Sequence, residues 1–347
     1  MKKEQNFFDL FDKFISESQS GKRVKKNGSK LRAGTIKRYQ LVRDELLRFS
    51  AKEEFPLRIK SIQRISSREM KSENIYWGRF YRKYSDYLYS LGCFDNYVGS
   101  HFKTIRTFFI YLNRKKAIAT GDIHKEFYVR SENVPIVVLQ QYQLDLLRFN
   151  KEFEESLPDY LKRTKDIFVF GSYVGVRFSD LMKLTRKNLM KTPDATYLCV
   201  RSVKTGTDTK IKLADYILDI LSKYKYLKTL IPVLSNTRLN LTIKELCEKA
   251  GWTYEVGKMR ECRGVPKKIS KEGKIYRFCD LVSTHTMRRT AVTNLLTLGM
   301  SETMVRKLSG HSANSKEFYR YVNYAQQSID KELDRINAMS KRREKAA

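Results

Sequence analysis

The 347-residue sequence has few of the features that build disulfide frameworks, metal sites or membrane spans. Its cysteines number five, an odd count, and no two are spaced as CxxC, which argues against a disulfide framework or a zinc site and favours reduced thiols. No apolar run of about 18 residues occurs, so we expect no transmembrane helix. No apolar segment follows residues 1–6, so we expect no signal peptide and a cytoplasmic location.

Acidic residues are also scarce relative to basic ones. Lys and Arg number 69 and Asp and Glu 38, which gives a net charge of +31. Both halves of the chain are basic, so we expect both to contact a polyanion, and a nucleic acid is the natural partner. A merely solubilising basic surface is the alternative. Binding to a membrane surface is less favoured, because no amphipathic lysine-rich helix stands apart from the globular pattern.

The first 130 residues show apolar residues at helical spacing. They predict helices near 7–15, from an N-cap at Thr35 through 47, over 77–91 and over 98–112. The pattern loosens between Lys115 and Val137, so we place a domain boundary at 130/131. The helices form a small bundle whose polar faces either clamp DNA or are simply solvated; the basic residues on those faces are Lys37, Arg38, Arg43, Lys103, Arg106 and Arg114.

Residues 131–347 mix helices with short strands. Helical patterning covers 139–170 and resumes over 286–298 and 302–308. Residues 197–200 and 210–213 predict a hairpin with Lys204 at its tip. Residues 252–282 predict a second strand pair or an inserted loop. The fold class is therefore mainly α with a small β-sheet.

Four short segments of this second half carry reactive side chains. They are Gly175-Val176-Arg177, Val203-Lys204-Thr205-Gly206, His285-Thr286-Met287-Arg288, and Gly310-His311 followed by Phe318-Tyr319-Arg320-Tyr321. The whole chain has only four histidines, and two of them lie here. Each segment alone is a weak signal, and the conjunction is much stronger than its parts.

These residue types suit phosphodiester cleavage without a metal or a cofactor. A tyrosine can attack the phosphorus and conserve the bond energy as a phosphotyrosine. The planar fork of arginine donates two hydrogen bonds to phosphate oxygens and keeps its charge. Lysine or histidine can protonate the leaving oxygen.

The local patterns also predict how the side chains are presented. Arg177 follows Gly175 at the start of a helix that continues through Leu184. His285 and Arg288 are three residues apart, so on a helix they share a face and can converge on one phosphate. Gly310 is a predicted helix C-cap that turns the chain at His311.

The order and spacing of these segments resemble the tyrosine recombinases, or phage integrase family, and in particular integrases of bacterial mobile elements. Residues 283–291 are the most specific stretch. The resemblance implies a SAM-like helical core-binding domain over 1–130 and a mixed α/β catalytic domain with a C-terminal tail helix over 131–347. It implies that Arg177 and Arg288 hold the scissile phosphate, and that His311 hydrogen-bonds it. Lys204 would be the acid for the leaving 5′ oxygen, and His285 would assist proton transfer.

The nucleophile is the one departure from the family pattern, which places a tyrosine nine residues after the last histidine. Here Tyr319 is eight and Tyr321 ten residues after His311. Alignment from the C-terminal side places Tyr321 in the nucleophile position, with Tyr319 as the alternative.

The resemblance further implies cutting and rejoining of double-stranded DNA through a 3′-phosphotyrosine, in the integration or excision of a mobile element. It implies a homotetramer on two DNA sites, with accessory DNA-bending proteins as further partners. A tail helix over 328–339 would dock on a neighbouring protomer through Ile329, Leu333 and Ile336. A non-cutting DNA-binding regulator of the same fold and a type IB topoisomerase stay open as alternatives.

Overall fold

The computed structural model describes residues 4–25, 27–63, 65–201, 208–312, 315, 317–326, 329–330 and 333–334. The chain divides into two units: Met1–Val134 together with Met259–Ile269, and Pro135–Lys258 together with Ser270–Ala347. The described residues are mainly helical with small antiparallel sheets, which confirms the predicted fold class. No helix within the described ranges is both long and apolar enough to cross a membrane.

The first unit is a helical bundle with an aromatic core. Its elements are β1 (Gln5–Asn6), α1 (Phe7–Ser20), α2 (Ala33–Lys52), β2 (Arg58–Ile59), α3 (Ser67–Ser90), α4 (Asp95–Lys115) and α5 (Ile123–Glu126). Aromatic side chains at helical spacing are buried between the helices, among them Phe7, Phe11, Phe14, Trp77, Phe80, Phe102, Phe108 and Phe109. Edge-to-face contacts are frequent among them, as between Trp77 and Phe109, whose ring centroids are 4.9 Å apart.

Two helices of this unit begin earlier than the sequence predicted. The N-cap of α2 is Arg32 and not Thr35, so that prediction is wrong. Helix α3 begins ten residues before Trp77, because a capping box nucleates it: the Ser66 hydroxyl accepts from the Glu69 N–H (3.3 Å), and the Glu69 carboxylate accepts from the Ser66 N–H (3.0 Å).

Two of the six basic residues predicted to face DNA have intramolecular partners. The Arg43 guanidinium donates to both carboxylate oxygens of Asp12, each at 2.9 Å. Arg106 donates from Nε to the His124 carbonyl (2.7 Å) and from Nη2 to the Lys125 carbonyl (3.1 Å). Their side chains therefore fix helix positions within the bundle.

The second unit combines helices with a three-stranded sheet. Its elements are α6 (Gln141–Phe149), α7 (Lys151–Ser156), α8 (Asp159–Val174), α9 (Phe178–Leu181), a 3-10 turn (Arg186–Asn188), β3 (Leu189–Lys191), β4 (Thr196–Arg201), β5 (Asp208–Lys212), α10 (Asp215–Lys223), α11 (Asn236–Lys249), α12 (Phe278–Leu281), α13 (Thr284–Thr297) and α14 (Glu302–Ser309). The predicted hairpin is β4–β5, and β3 adds a strand that the sequence did not indicate. In the antiparallel register, Leu198 lies opposite both Leu189 and Ile211.

A close approach of α8 and α13 organises this unit. Gly171 and Gly175 lie one turn apart on α8, and a Cβ on them would come within 2.4 Å of Met287 Sδ and 2.9 Å of Ala291 Cβ, respectively. Gly175 also ends α8 with a left-handed φ of 63°, which favours glycine. The two glycines let α13 pack directly on the α8 backbone.

A second hairpin is flanked in the sequence by residues of the second unit but belongs to the first unit in the structure. It consists of β6 (Lys258–Cys262) and β7 (Val265–Ile269), within the predicted segment 252–282. Its two-residue turn, Arg263-Gly264, has positive φ at both positions (59° and 79°). Both turn N–H groups donate to the Asp95 carboxylate at 2.8 Å, which offsets the strain at Arg263.

Candidate active site

Arg288 lies at the centre of the site, on the α13 face that packs against α8. Its residue is 3% exposed. Nη1 donates to the Gly175 carbonyl at 3.0 Å, and Nη2 lies 3.0 Å from Nε2 of His311. Burial, and secondarily the charge of Arg177, lowers the pKa of Arg288 to about 10. The guanidinium therefore stays charged at neutral pH while buried without an ion pair to a described acidic residue.

His311 follows Gly310, which ends α14 in the left-handed conformation as predicted (φ 63°). Nη2 of Arg288 lies 3.0 Å from Nε2 and 3.2 Å from Nδ1 of His311, and since arginine can only donate, the nearer Nε2 is assigned as the acceptor. Nδ1, 2.7 Å from the Ser309 hydroxyl, then carries the proton and donates to it, and that hydroxyl donates to the Val305 carbonyl at 2.6 Å. Burial and the nearby Arg288 charge lower the pKa of His311 to about 3, so the imidazole is neutral.

Arg177 reaches the same place from the turn that follows α8. It is the half-buried N-cap residue of α9. Helix α9 ends at Leu181, so the predicted continuation to Leu184 is wrong. The charge of Arg177 lowers the pKa of both Arg288 and His311. Because the like charges of Arg177 and Arg288 act on each other, an anion bound beside both guanidinium groups would be stabilised.

Tyr321 packs against His311 from the helical segment 317–326. Its residue is 1% exposed, and its ring centroid is 5.7 Å from that of His311. Its buried hydroxyl makes no well-formed hydrogen bond within the described part of the chain. Burial raises the pKa of Tyr321, and the Glu317 carboxylate raises it further, against the opposing charges of Arg289 and Arg288. The phenol is therefore protonated in this state.

Tyr319 lies in a different environment. It is 52% exposed, and the Arg306 guanidinium lies 4.9 Å from its ring centroid. The chain thus brings Tyr321, and not Tyr319, to Arg288 and His311.

Chemically, this arrangement can hold a tetrahedral anion. Arg177 and Arg288 supply fixed positive charge, and His311 supplies a ring nitrogen beside them. The buried phenol of Tyr321 lies beside His311 and within reach of the Arg288 charge. A site for phosphoryl transfer needs this combination: cations that bind the phosphate oxygens and a hydroxyl that can attack the phosphorus.

The whole chain was compared with known proteins. No family model and no curated protein sequence matches it. Solved structures do match in three dimensions. A lambda integrase dimer bound to a COC′ core site is 14% identical with a TM-score of 0.59, covering 92% of this chain and 78% of that one. XerH site-specific recombinase bound to palindromic difH substrate, in a post-cleavage complex, is 13% identical with a TM-score of 0.57, covering 94% and 84%.

A third match is the Tn1549 transposon integrase in complex with transposon right end DNA. It is 15% identical with a TM-score of 0.56, and the match covers 96% of this chain and 100% of the other. The chain has the tyrosine recombinase fold.

Within this tyrosine recombinase fold, four of the six predicted site residues come together: Arg177, Arg288, His311 and Tyr321. His285 lies one turn before Arg288 on α13, with its side chain 45% exposed and Nε2 3.4 Å from Glu317 Oε1. Lys204 and most of the predicted tail helix over 328–339 lie outside the described residues.

Two residues of the site were not predicted from the sequence. Ser309 fixes the tautomer of His311, and Glu317 contacts His285 and acts on Tyr321. Both carry a positional signal, since Ser309 is two residues before His311 and Glu317 is four residues, one helical turn, before Tyr321.

Proposed function

We propose that this protein is a site-specific DNA recombinase that cuts and rejoins DNA through a 3′-phosphotyrosine intermediate. The convergence of Arg177, Arg288, His311 and Tyr321 in one buried site carries the proposal. The tyrosine recombinase fold supports it, as does the net charge of +31, which suits a polyanionic substrate.

In the proposed reaction, Arg177 and Arg288 bind the non-bridging oxygens of the scissile phosphate. Each such preorganised donor is worth roughly 3–4 kcal/mol of transition-state stabilisation in comparable oxyanion sites. The anion also raises the pKa of His311 from its value of about 3, which allows Nε2 to gain a proton and donate to the phosphate.

The bond changes are balanced. The Tyr321 oxygen forms a bond to phosphorus as the bond to the 5′ oxygen breaks, and one phosphodiester replaces another. Lys204 gives a proton to the leaving 5′ oxygen, and His285 assists transfer of the tyrosine proton. Attack by a 5′ hydroxyl on the phosphotyrosine reverses these steps and rejoins a strand.

The assembly we propose is a homotetramer on two double-stranded DNA sites, held by the C-terminal tail. Integration or excision of a mobile element is the proposed biological task, with DNA-bending proteins as accessory partners. The first 130 residues are the proposed core-binding domain and residues 131–347 the proposed catalytic domain, acting in the cytoplasm.

A nicked suicide substrate tests the mechanism. Its duplex carries a site selected from random DNA by binding to this protein, and a nick near the cut lets the cleaved end diffuse away. We expect the wild type and Tyr319→Phe to form a covalent protein–DNA adduct, and Tyr321→Phe to form none, because Tyr321 is the phenol beside Arg288 and His311. Adducts are counted by denaturing gel.

The other outcomes separate the alternatives. Loss of the adduct only in Tyr319→Phe would keep the mechanism and change the nucleophile. Binding without any adduct from the wild type would favour a non-cutting regulator. Efficient relaxation of a plasmid that lacks paired sites, with no strand exchange, would favour a type IB topoisomerase.

A further inference from the structure

The Ser309 hydroxyl lies between the last turn of α14 and the His311 ring. Ser309 is 6% exposed, and its Oγ is 2.6 Å from the Val305 carbonyl and 2.7 Å from Nδ1 of His311. A hydroxyl has a single proton to donate. If the proton goes to the carbonyl, the hydroxyl accepts from Nδ1, and Nδ1 carries the proton of the imidazole. If the hydroxyl donates to Nδ1 instead, the imidazole proton must lie on Nε2.

The Arg288 guanidinium decides between these two arrangements. Its Nη2 is 3.0 Å from Nε2 of His311. Since arginine has only donors, a proton on Nε2 would place two donors against each other at this distance. In the first arrangement every group has a complementary partner: Nε2 accepts from Arg288, Nδ1 donates to Ser309, and Ser309 donates to the Val305 carbonyl. The hydrogen bonds therefore favour the tautomer with its proton on Nδ1.

Charged and titratable groups face the His311 ring from each element that packs around it. They are Arg177 before α9, Arg288 on α13, Arg306 on α14, and Glu317 and Tyr321 in the segment 317–326. Burial, followed by the charges of Arg288 and Arg177, lowers the pKa of His311 to about 3. The imidazole of the DNA-free site is therefore neutral near neutral pH, and its Nε2 carries a lone pair.

A lone pair on Nε2 cannot donate to a phosphate oxygen, which is itself an acceptor. The proton on Nδ1 is held by Ser309, so the proton that Nε2 needs must come from solvent. We infer that Ser309 is a positioning residue: its hydroxyl holds His311 in the tautomer protonated on Nδ1, so that contact with the scissile phosphate requires uptake of a proton at Nε2. The inference rests on the proposed function, in which His311 contacts the phosphate, and adds a coupling of DNA binding to protonation.

The first measurement is the tautomer of His311 in DNA-free protein, by NMR of ¹⁵N-labelled imidazoles. The chain has only four histidines, and His311→Gln identifies the signals of residue 311 by their loss. We expect a proton on Nδ1 in the wild type. Ser309→Ala should move it to Nε2, because the Nδ1 proton then lacks its acceptor, and Arg288 Nη2, 3.2 Å from Nδ1, can donate there instead. Ser309→Thr keeps the hydroxyl and should resemble the wild type.

The second measurement counts protons taken up when the protein binds a duplex with the selected site. Calorimetric titrations in buffers of different ionisation enthalpy give this number, and Tyr321→Phe as the parent prevents cleavage. At about pH 6, adding Ser309→Ala should reduce the uptake by about one proton, so the affinity of the parent should fall up to about tenfold more per unit rise in pH. Ser85→Ala is the matched control, because Ser85 is a buried helix serine bonded to the carbonyl four residues earlier, 2.6 Å away, in the first unit.

A proton on Nε2 in the wild type, an unchanged tautomer in Ser309→Ala, or equal proton uptake with and without the Ser309 hydroxyl would overturn the inference. Should Ser309→Ala fail to fold, His311→Gln still decides, since it must also lose the uptake of about one proton. If the wild type forms no covalent adduct, the proposed function fails, and the tautomer in DNA-free Ser309→Ala still shows whether Ser309 positions the imidazole proton.

Discussion

Replacing Glu132 by glutamine removes the charge of a carboxylate that joins two distant parts of the sequence within the first unit. The Glu132 side chain is 1% exposed. It accepts from Arg260 Nε at 2.9 Å and from the Glu261 N–H at 2.7 Å, both on β6. Burial opposes ionisation of Glu132, but these hydrogen bonds outweigh burial and lower its pKa. The charge is therefore part of what holds the hairpin.

The size of the effect follows from this geometry. Breaking a fully buried ion pair by removing one partner costs about 3–5 kcal/mol. The Arg260 side chain is 23% exposed, so water recovers part of the loss, and glutamine keeps one acceptor. We expect Glu132→Gln to lower the free energy of unfolding of the first unit by about 2–3 kcal/mol.

The assay uses the two tryptophans, one in each unit. In a Trp252→Phe background, Trp77 alone reports urea unfolding of the first unit by fluorescence. Arg260→Met and the double variant complete a cycle that isolates the pair. Asp86→Asn is the control, because its 2.7 Å ion pair with Arg263 is exposed and should be worth less than about 1 kcal/mol.

A coupling energy below about 0.5 kcal/mol, within the usual error of additivity, would refute the reasoning. So would equal losses from Glu132→Gln and Asp86→Asn. The pH dependence gives a further check. Because the folded-state pKa of Glu132 lies below 4.5, the stabilisation is complete above that pH and is lost as the pH falls through the lowered folded value. The wild type and Glu132→Gln should therefore converge in stability in acid.

Two further predictions concern the second unit. In thermal unfolding, Gly175→Ala should lower the free energy of unfolding by about 1–3 kcal/mol more than Gly251→Ala does. Both positions have positive φ, but only at Gly175 would the new Cβ meet a neighbour, 2.9 Å from Ala291 Cβ. Equal losses would show that the α8–α13 contact does not limit the size of residue 175. Truncation after Gln326 should abolish tetramers on native gels and strand exchange while leaving DNA affinity unchanged, and undiminished strand exchange would exclude a role for the tail.

Local patterns predicted the elements whose signals lie close together in the sequence. The C-cap at Gly310 and the β4–β5 hairpin are confirmed. Both have local signals: a glycine directly after an amphipathic helix, and alternating apolar and polar residues on either side of a hairpin turn. The early start of α3 could have been predicted from Ser66 and Glu69, whose spacing is that of a capping box.

The remainder depends on tertiary contacts. Nothing within residues 258–269 indicates that this hairpin packs with the first unit, since Asp95 and Glu132 are more than a hundred residues away. Likewise, Tyr321 and Tyr319 differ by two positions in the sequence, and only the packing of Phe318 and Tyr321 on His311 distinguishes a buried phenol from an exposed one. The assignment of catalytic roles to these residues stays a prediction.

The displaced hairpin also has a consequence for biosynthesis. Glu132 leaves the ribosome well before Arg260 and Arg263 are translated, and at about 5–20 residues per second the delay is roughly 7–26 s. During this time the bundle of the first 134 residues lacks the donors that its buried carboxylates bind in the finished protein. The part of the chain that is synthesised first is thus completed late, and its maturation is coupled to translation of the second half.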